Sequence, residues 1–229
     1  MTISQRRRLA MIGAAVILGA GALGACGSDD SADTATTQTT TQTTGSPTTP
    51  TGSNTISVNE EQDRDALLAA MKEGAVVIYF RHGATDRGGY DDYQAPRSEQ
   101  RLLSEEGQEQ SRTIGEAFKT NDIDASRILT SPYERNKDMA ELAFGRSDGE
   151  EVKLLGEGER SDLDYSYLMS LFSEPLEPGK NLVIFSHSDP LRAVTGVSLP
   201  EGGAVVVRPG PDPVVLGSLT PEDWSALAG

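Results

Sequence analysis

Two short apolar runs, each closing on a histidine, constrain this chain more than any other feature. Ala75-Val76-Val77-Ile78-Tyr79-Phe80 leads into Arg81-His82-Gly83, and Asn181-Leu182-Val183-Ile184-Phe185-Ser186 leads into His187. Both runs are short, β-branched and aromatic, and bounded by Gly or polar residues, which is the pattern of strands buried on both faces of a parallel sheet. Ligands of open α/β sheets bind outside the carboxyl ends of the strands. The two histidines of the sequence therefore both stand where such a site forms.

The remaining elements alternate around these runs. Gln62 to Lys72 places Leu67, Leu68 and Met71 on one helical face. Ser104 can cap a helix that carries Ile114 and Phe118. A strand at Ser126 to Thr130 runs into Ser131-Pro132-Tyr133-Glu134-Arg135 and a helix with Met139, Leu142 and Phe144. Val152 to Leu155 reads as a further short strand and Leu163 to Phe172 as a helix. Ala204 to Val207 and Val214 to Leu216 read as closing edge strands, the second as the antiparallel one, and Pro221 to Leu227 as a terminal helix with Pro in its first turn. Strands alternating with helices imply a sheet covered on both faces. The expected fold is α/β, a three-layer α/β/α sandwich with a mostly parallel central sheet.

The ends of the chain are of a different kind. Arg6, Arg7 and Arg8 precede an uncharged apolar stretch from Leu9 to Ala25, the pattern of an export signal. It closes on Leu23-Gly24-Ala25-Cys26, which resembles the lipobox of bacterial lipoproteins, where the cysteine is diacylated. Cys26 is the single cysteine of the chain, so intrachain disulfides are excluded and stability must come from a core. An uncleaved anchor helix is the alternative, and both readings place the domain outside the cytoplasm. Two acyl chains would hold it stably on a membrane. The arginines also loosely resemble a twin-arginine signal. From Gly27 to Ser57 the sequence is rich in Thr, Ser, Gln and Gly and poor in large apolar residues, so it cannot offset its ordering entropy. A tether is expected there, with a root-mean-square span of about 30 Å. Three segments result: 1–26 a lipoprotein signal peptide, 27–57 a linker, and 58–229 one folded domain. The formal net charge of -15 disfavours nucleic acid as a partner.

A neutral imidazole at the mouth of a sheet is a good nucleophile toward phosphorus, and transfer to it divides one hard displacement into two easier ones. The phosphoryl group in flight spreads charge over three oxygens and needs fixed cations around it. Arg81 adjoins His82, and Arg135 follows a turn at the end of another strand, with a planar fork suited to phosphate. A metal site is the competing use of two histidines. It is disfavoured by the lack of a third His, by the assignment of Cys26 to the anchor, and by two arginines that would repel a cation.

These residues resemble the histidine phosphatase superfamily, also called the phosphoglycerate mutase-like fold. The resemblance rests on Arg81-His82-Gly83-Ala84-Thr85 after a strand, Ser131-Pro132-Tyr133-Glu134-Arg135 before a helix, and a later strand ending in His187. Leu103-Ser104-Glu105-Glu106-Gly107-Gln108-Glu109-Gln110 also looks like the helix start of that family. The resemblance implies a metal-independent phosphatase without cofactors. In it His82 is the phosphorylated nucleophile, Arg81 and Arg135 clamp the phosphate, His187 stabilises the transition state, and Thr85 adds a hydroxyl. The partners implied are a phosphorylated small molecule or phosphoprotein, with the membrane reached through Cys26.

The general acid is where the sequence departs from the family pattern. Glu157 and Glu159 lie in a Gly-rich turn without the family's acidic motif, Ser188 separates His187 from Asp189, and Asp86 and Glu201 are further choices. Without an acid, release of an alkoxide slows by about 10²–10⁴-fold. Phenols, acyl phosphates and phosphohistidine depend on it less. A phospholigand-binding lipoprotein with little turnover is the alternative from another class. Arg192 reads as an exposed position on the helix after His187, and Gly88 to Arg101 reads as an insert overhanging the pocket.

Overall fold

The computed structural model describes residues 57–58, 63–158 and 162–229. The expected signal peptide (1–26) with Cys26, the linker up to residue 56, and Glu159 lie outside the described residues. Seven strands and six helices follow in chain order among those described: β1 Ser57–Val58, α1 Arg64–Glu73, β2 Val77–Arg81, α2 Glu105–Thr120, β3 Arg127–Thr130, α3 Glu134–Phe144, β4 Gly149–Glu150, α4 Ser166–Ser173, β5 Leu182–Ser186, α5 Ser188–Thr195, β6 Ala204–Arg208, β7 Val214–Leu219 and α6 Pro221–Ala228. None of the described helices is long and apolar enough to cross a membrane.

The strands form one sheet in the order β1-β7-β6-β2-β5-β3-β4. Alternation along the central strands decides the layers, because successive side chains of a strand point to opposite faces. Ile78 and Phe80 of β2 and Val183 and Phe185 of β5 join a core with Met71 of α1, Ile114 and Phe118 of α2, Met139 of α3 and Trp224 of α6. Val77, Tyr79, Leu182 and Ile184 face the other way, onto Leu168 and Phe172 of α4 and Leu191 and Val194 of α5. The result is a three-layer α/β/α sandwich with a mostly parallel sheet, as expected from the sequence.

β2 and β5 pair in parallel at the centre, with Phe80 opposite Phe185 and Arg81 opposite Ser186. Their carboxyl ends, and the histidines that follow them, are therefore side by side. β3 extends the parallel set on the far side of β5. Asn181 fixes the amino ends: its Oδ1 accepts from Val76 N at 3.2 Å and its Nδ2 donates to Met71 O at 2.8 Å.

Two expectations from the sequence are corrected. Val152–Leu155 is a 3-10 turn rather than a strand, and the outer strand on β3 is instead Gly149–Glu150. Leu154 alone of those four residues is buried, so the run lacks the alternating pair of faces that a strand buries. In the second case neither strand is an edge, since β7 lies between β6 and β1 and β6 between β2 and β7. β6 is itself the antiparallel strand, antiparallel to both neighbours, which leaves β7 parallel to β2.

Candidate active site

Arg81, His82, Asp91, Arg101, Tyr133, Arg135 and His187 line one end of a cleft of about 850 Å³ at the carboxyl edge of the sheet; Leu155, Leu163, Tyr165, Asp189 and Arg192 are among the residues of its other walls. All four sequence-predicted residues of the phosphate site, Arg81, His82, Arg135 and His187, meet there. His82 follows β2 directly and is 4% exposed. Its Nδ1 lies 2.9 Å from the carbonyl oxygen of Gly83. A carbonyl only accepts, so Nδ1 carries the ring proton and Nε2 keeps its lone pair.

His187 follows β5, and its ring centroid lies 5.5 Å from that of His82. Its backbone is pinned by Tyr79, whose hydroxyl donates to His187 O at 2.8 Å and accepts from His187 N at 3.2 Å. Nδ1 of His187 lies 3.4 Å from Arg135 Nη2 and Nε2 lies 2.9 Å from Ser131 Oγ. A guanidinium and an amide nitrogen only donate, and Asn136 Nδ2 lies 3.2 Å from Nε2, so donors face both ring nitrogens of His187. Asn136 Nδ2 donates to the same Ser131 Oγ at 2.8 Å.

Both imidazoles resist protonation. Burial, followed by the charges of Arg135, Arg81 and Arg101, pushes His82 down to about 4. Burial and Arg135 likewise hold His187 well below the ordinary histidine value of 6.5. Desolvation and neighbouring cations act in the same direction here, since both disfavour an imidazolium.

The arginines come from three different segments. Arg81 donates to Leu199 O at 2.8 Å and to Glu201 at 3.2 Å. Arg135, in the first turn of α3 and 3% exposed, stacks its guanidinium 4.2 Å from the Tyr133 ring centroid. The Nε of Arg81 and of Arg135 are buried without a hydrogen-bond acceptor. Arg101, the third cation, was not anticipated from the sequence; its Nη1 donates to Thr85 Oγ1 at 2.6 Å. Nothing in the local pattern around Arg101 marks it. It reaches the site because Ser104 N bonds Ala84 O at 3.0 Å and Arg101 N bonds Tyr90 O at 3.1 Å, folding the loop back beside the Arg81-His82-Gly83 turn. Asn136 and Ser131 behind His187 were likewise not singled out for that role.

The acid candidates separate by position. Glu201 pairs with Arg81, and its Oε1 lies 4.0 Å from His82 Nδ1, on the protonated side of the ring. Glu157 lies 3.8 Å from Lys153 and, like Asp86, is exposed and not among the cleft residues. Asp189 lines the cleft and accepts from Arg192 at 2.8 Å. Arg192 is exposed, as expected, yet also lines the cleft. Among the described residues no three His, Cys, Asp or Glu side chains converge as metal ligands would.

Residues 77–157 match the model of the histidine phosphatase superfamily (branch 1). None of the curated proteins matches the chain. Similar solved structures include the protein histidine phosphatase SixA complexed with tungstate, at 17% identity and TM-score 0.48, covering 65% of this chain and 98% of that one. Phosphoserine phosphatase from Entamoeba histolytica, in complex with 3-phosphoglyceric acid, is 15% identical at TM-score 0.42 and covers 65% and 98% respectively. The matched stretch runs from β2 through the loop after β4 and carries Arg81, His82, Arg101 and Arg135, so the part of the cleft built from these residues is similar to the histidine phosphatase superfamily (branch 1).

Proposed function

We propose that this chain is a membrane-tethered, extracytoplasmic phosphatase that hydrolyses phosphomonoesters through a phosphohistidine at His82, without a metal. The observation that carries the reading is an unprotonated Nε2 on a buried imidazole ringed by three arginines. Nε2 attacks phosphorus, the P–O ester bond breaks, and the leaving oxygen departs with the bonding pair. Arg81, Arg101 and Arg135 offset the charge on the equatorial oxygens. Water then attacks phosphorus, a P–O bond forms as the P–N bond breaks, and the bonding pair returns to Nε2, releasing inorganic phosphate and restoring neutral His82. His187, held between Ser131 and Arg135, lines the opposite side of the phosphoryl seat.

Of the carboxyls described, Asp91 and Asp189 line the cleft, and each is already held in ion pairs, with Arg101 and Arg135 and with Arg192 respectively. That pairing favours a second reading, a phospholigand-binding protein of slow turnover. Hydrolysis of para-nitrophenyl phosphate in EDTA, by the wild type and by His82→Ala, decides between them, since para-nitrophenolate leaves without a proton. Loss of activity in the mutant, together with an acid-labile phosphoenzyme in the wild type, is the expected result. Phosphate binding with no turnover would favour the second reading. The tether rests on Cys26: Cys26→Ala is expected to release the protein from the membrane fraction and to abolish incorporation of labelled palmitate.

A further inference from the structure

The phosphoryl seat already holds a carboxylate of the chain itself. Oδ1 of Asp91 lies 3.1 Å from Arg135 Nη1 and 3.0 Å from Arg101 Nη2, and Oδ2 lies 3.2 Å from the same Arg101 nitrogen. The two guanidiniums that face His82 and His187 are thus bridged by one anion. Asp91 belongs to the Gly88 to Arg101 insert and is more than half exposed, whereas the Arg135 side chain it meets is 4% exposed.

The position of this carboxylate is built into the loop. Tyr90 N bonds Glu99 O at 2.7 Å, and the Tyr133 hydroxyl donates to the carbonyl of Asp91 itself at 3.1 Å. Behind them Arg97 clamps Glu134 and Asp138 of α3, at 2.6 and 2.7 Å. Gln100 Oε1 accepts from Glu134 N at 3.1 Å. With the backbone pinned on both sides of Asp91, rotation of its own side chain is enough to vacate the seat.

We propose that Asp91 is an intramolecular competitor for the seat: it fills the space between Arg101 and Arg135 until an incoming phosphoryl group displaces it, and so sets a charge threshold for binding. The inference rests on the reading of the cleft as a phosphoryl site. Exchange of a carboxylate for a dianion adds one unit of attraction to the arginines, whereas exchange for a monoanion adds none. Displacing Asp91 costs both the same, so a phosphomonoester dianion keeps affinity to spare while a monoanion of the same shape, such as a sulfate monoester, is held off.

Titration of the full chain with inorganic phosphate and with phenyl sulfate, for wild type, Asp91→Asn and Asp91→Ala, tests this. Phosphate is expected to bind about 10-fold more tightly to both variants, and phenyl sulfate to gain by the same factor. Asp92→Asn makes the same charge change one residue away, where the Asp92 Oδ1 accepts from Gln94 N; it is expected to leave phosphate affinity at the wild-type value. Unchanged or weaker phosphate binding in both Asp91 variants would overturn the proposal, as would equal gains in Asp91→Asn and Asp92→Asn. Failure of wild type and variants alike to bind phosphate would remove the phosphoryl-site reading itself, and this inference with it.

Discussion

His82 is prepared for attack by its neighbours rather than by its own chemistry. The Gly83 carbonyl holds the proton on Nδ1, and burial with three guanidiniums keeps a second proton off Nε2 down to about pH 4. The same cations that would bind a phosphoryl group therefore also keep the nucleophile neutral. The acid limb of kcat/KM for para-nitrophenyl phosphate is expected near pH 4, and a limb at the ordinary histidine value near 6.5 would contradict this account. Arg135→Ala removes a buried donor aimed at developing charge and is expected to lower kcat/KM by about 10²–10³-fold. His82 and Arg135 were legible because their motifs sit at strand ends. Arg101 and Asp91 were not: each is an ordinary charged residue in a polar loop, and only the tertiary fold of that loop brings it to the cleft.

At the scale of elements, the helix-start motif has a packing reason. α2 begins directly beneath the turn that carries His82. Ser104 caps it by accepting from Gly107 N at 3.2 Å, and Gln110 Oε1 accepts from Ala84 N at 2.9 Å. Gly107 is where the two backbones touch: a Cβ there would stand 2.0 Å from the Ala84 carbonyl oxygen. Gly107→Ala is expected to push α2 away from the turn, to cost about 1–3 kcal/mol in urea unfolding, and to lower turnover with it. A variant with wild-type stability and turnover would show that the close approach is dispensable. α3 is started differently. Tyr133 precedes the helix without a side-chain cap, and the amide of Glu134 is instead satisfied by Gln100. Helix positions were readable from apolar spacing and caps. The Gln100 contact was not, because it links residues that become neighbours only after the insert folds.

At the scale of the molecule, the layer order was legible because β2 and β5 bury both faces, a pattern that survives in sequence as an unbroken apolar run. Strand direction was not legible: Ala204 to Val207 is equally apolar whichever way it runs, and the short return into β7 fixes only that those two strands oppose each other. The buried site also couples folding to pH. With His82 at about 4 in the native state and 6.5 unfolded, the unfolded chain binds more protons throughout that interval, so stability falls as pH falls through it. Between pH 7 and 5 His82 alone accounts for about 2 kcal/mol, and His187 adds to the loss in the same direction. Carboxylates held below their usual range, such as Glu134 and Asp148, weaken the fold only as pH drops further, through the range where unfolded carboxyls take up protons. Urea unfolding at pH 7 and pH 5 therefore isolates the imidazoles. The wild type is expected to lose stability between the two, and His82→Ala to lose about 2 kcal/mol less. Identical losses in both proteins would mean that His82 is as readily protonated in the fold as out of it, and the neutral nucleophile would have to be abandoned.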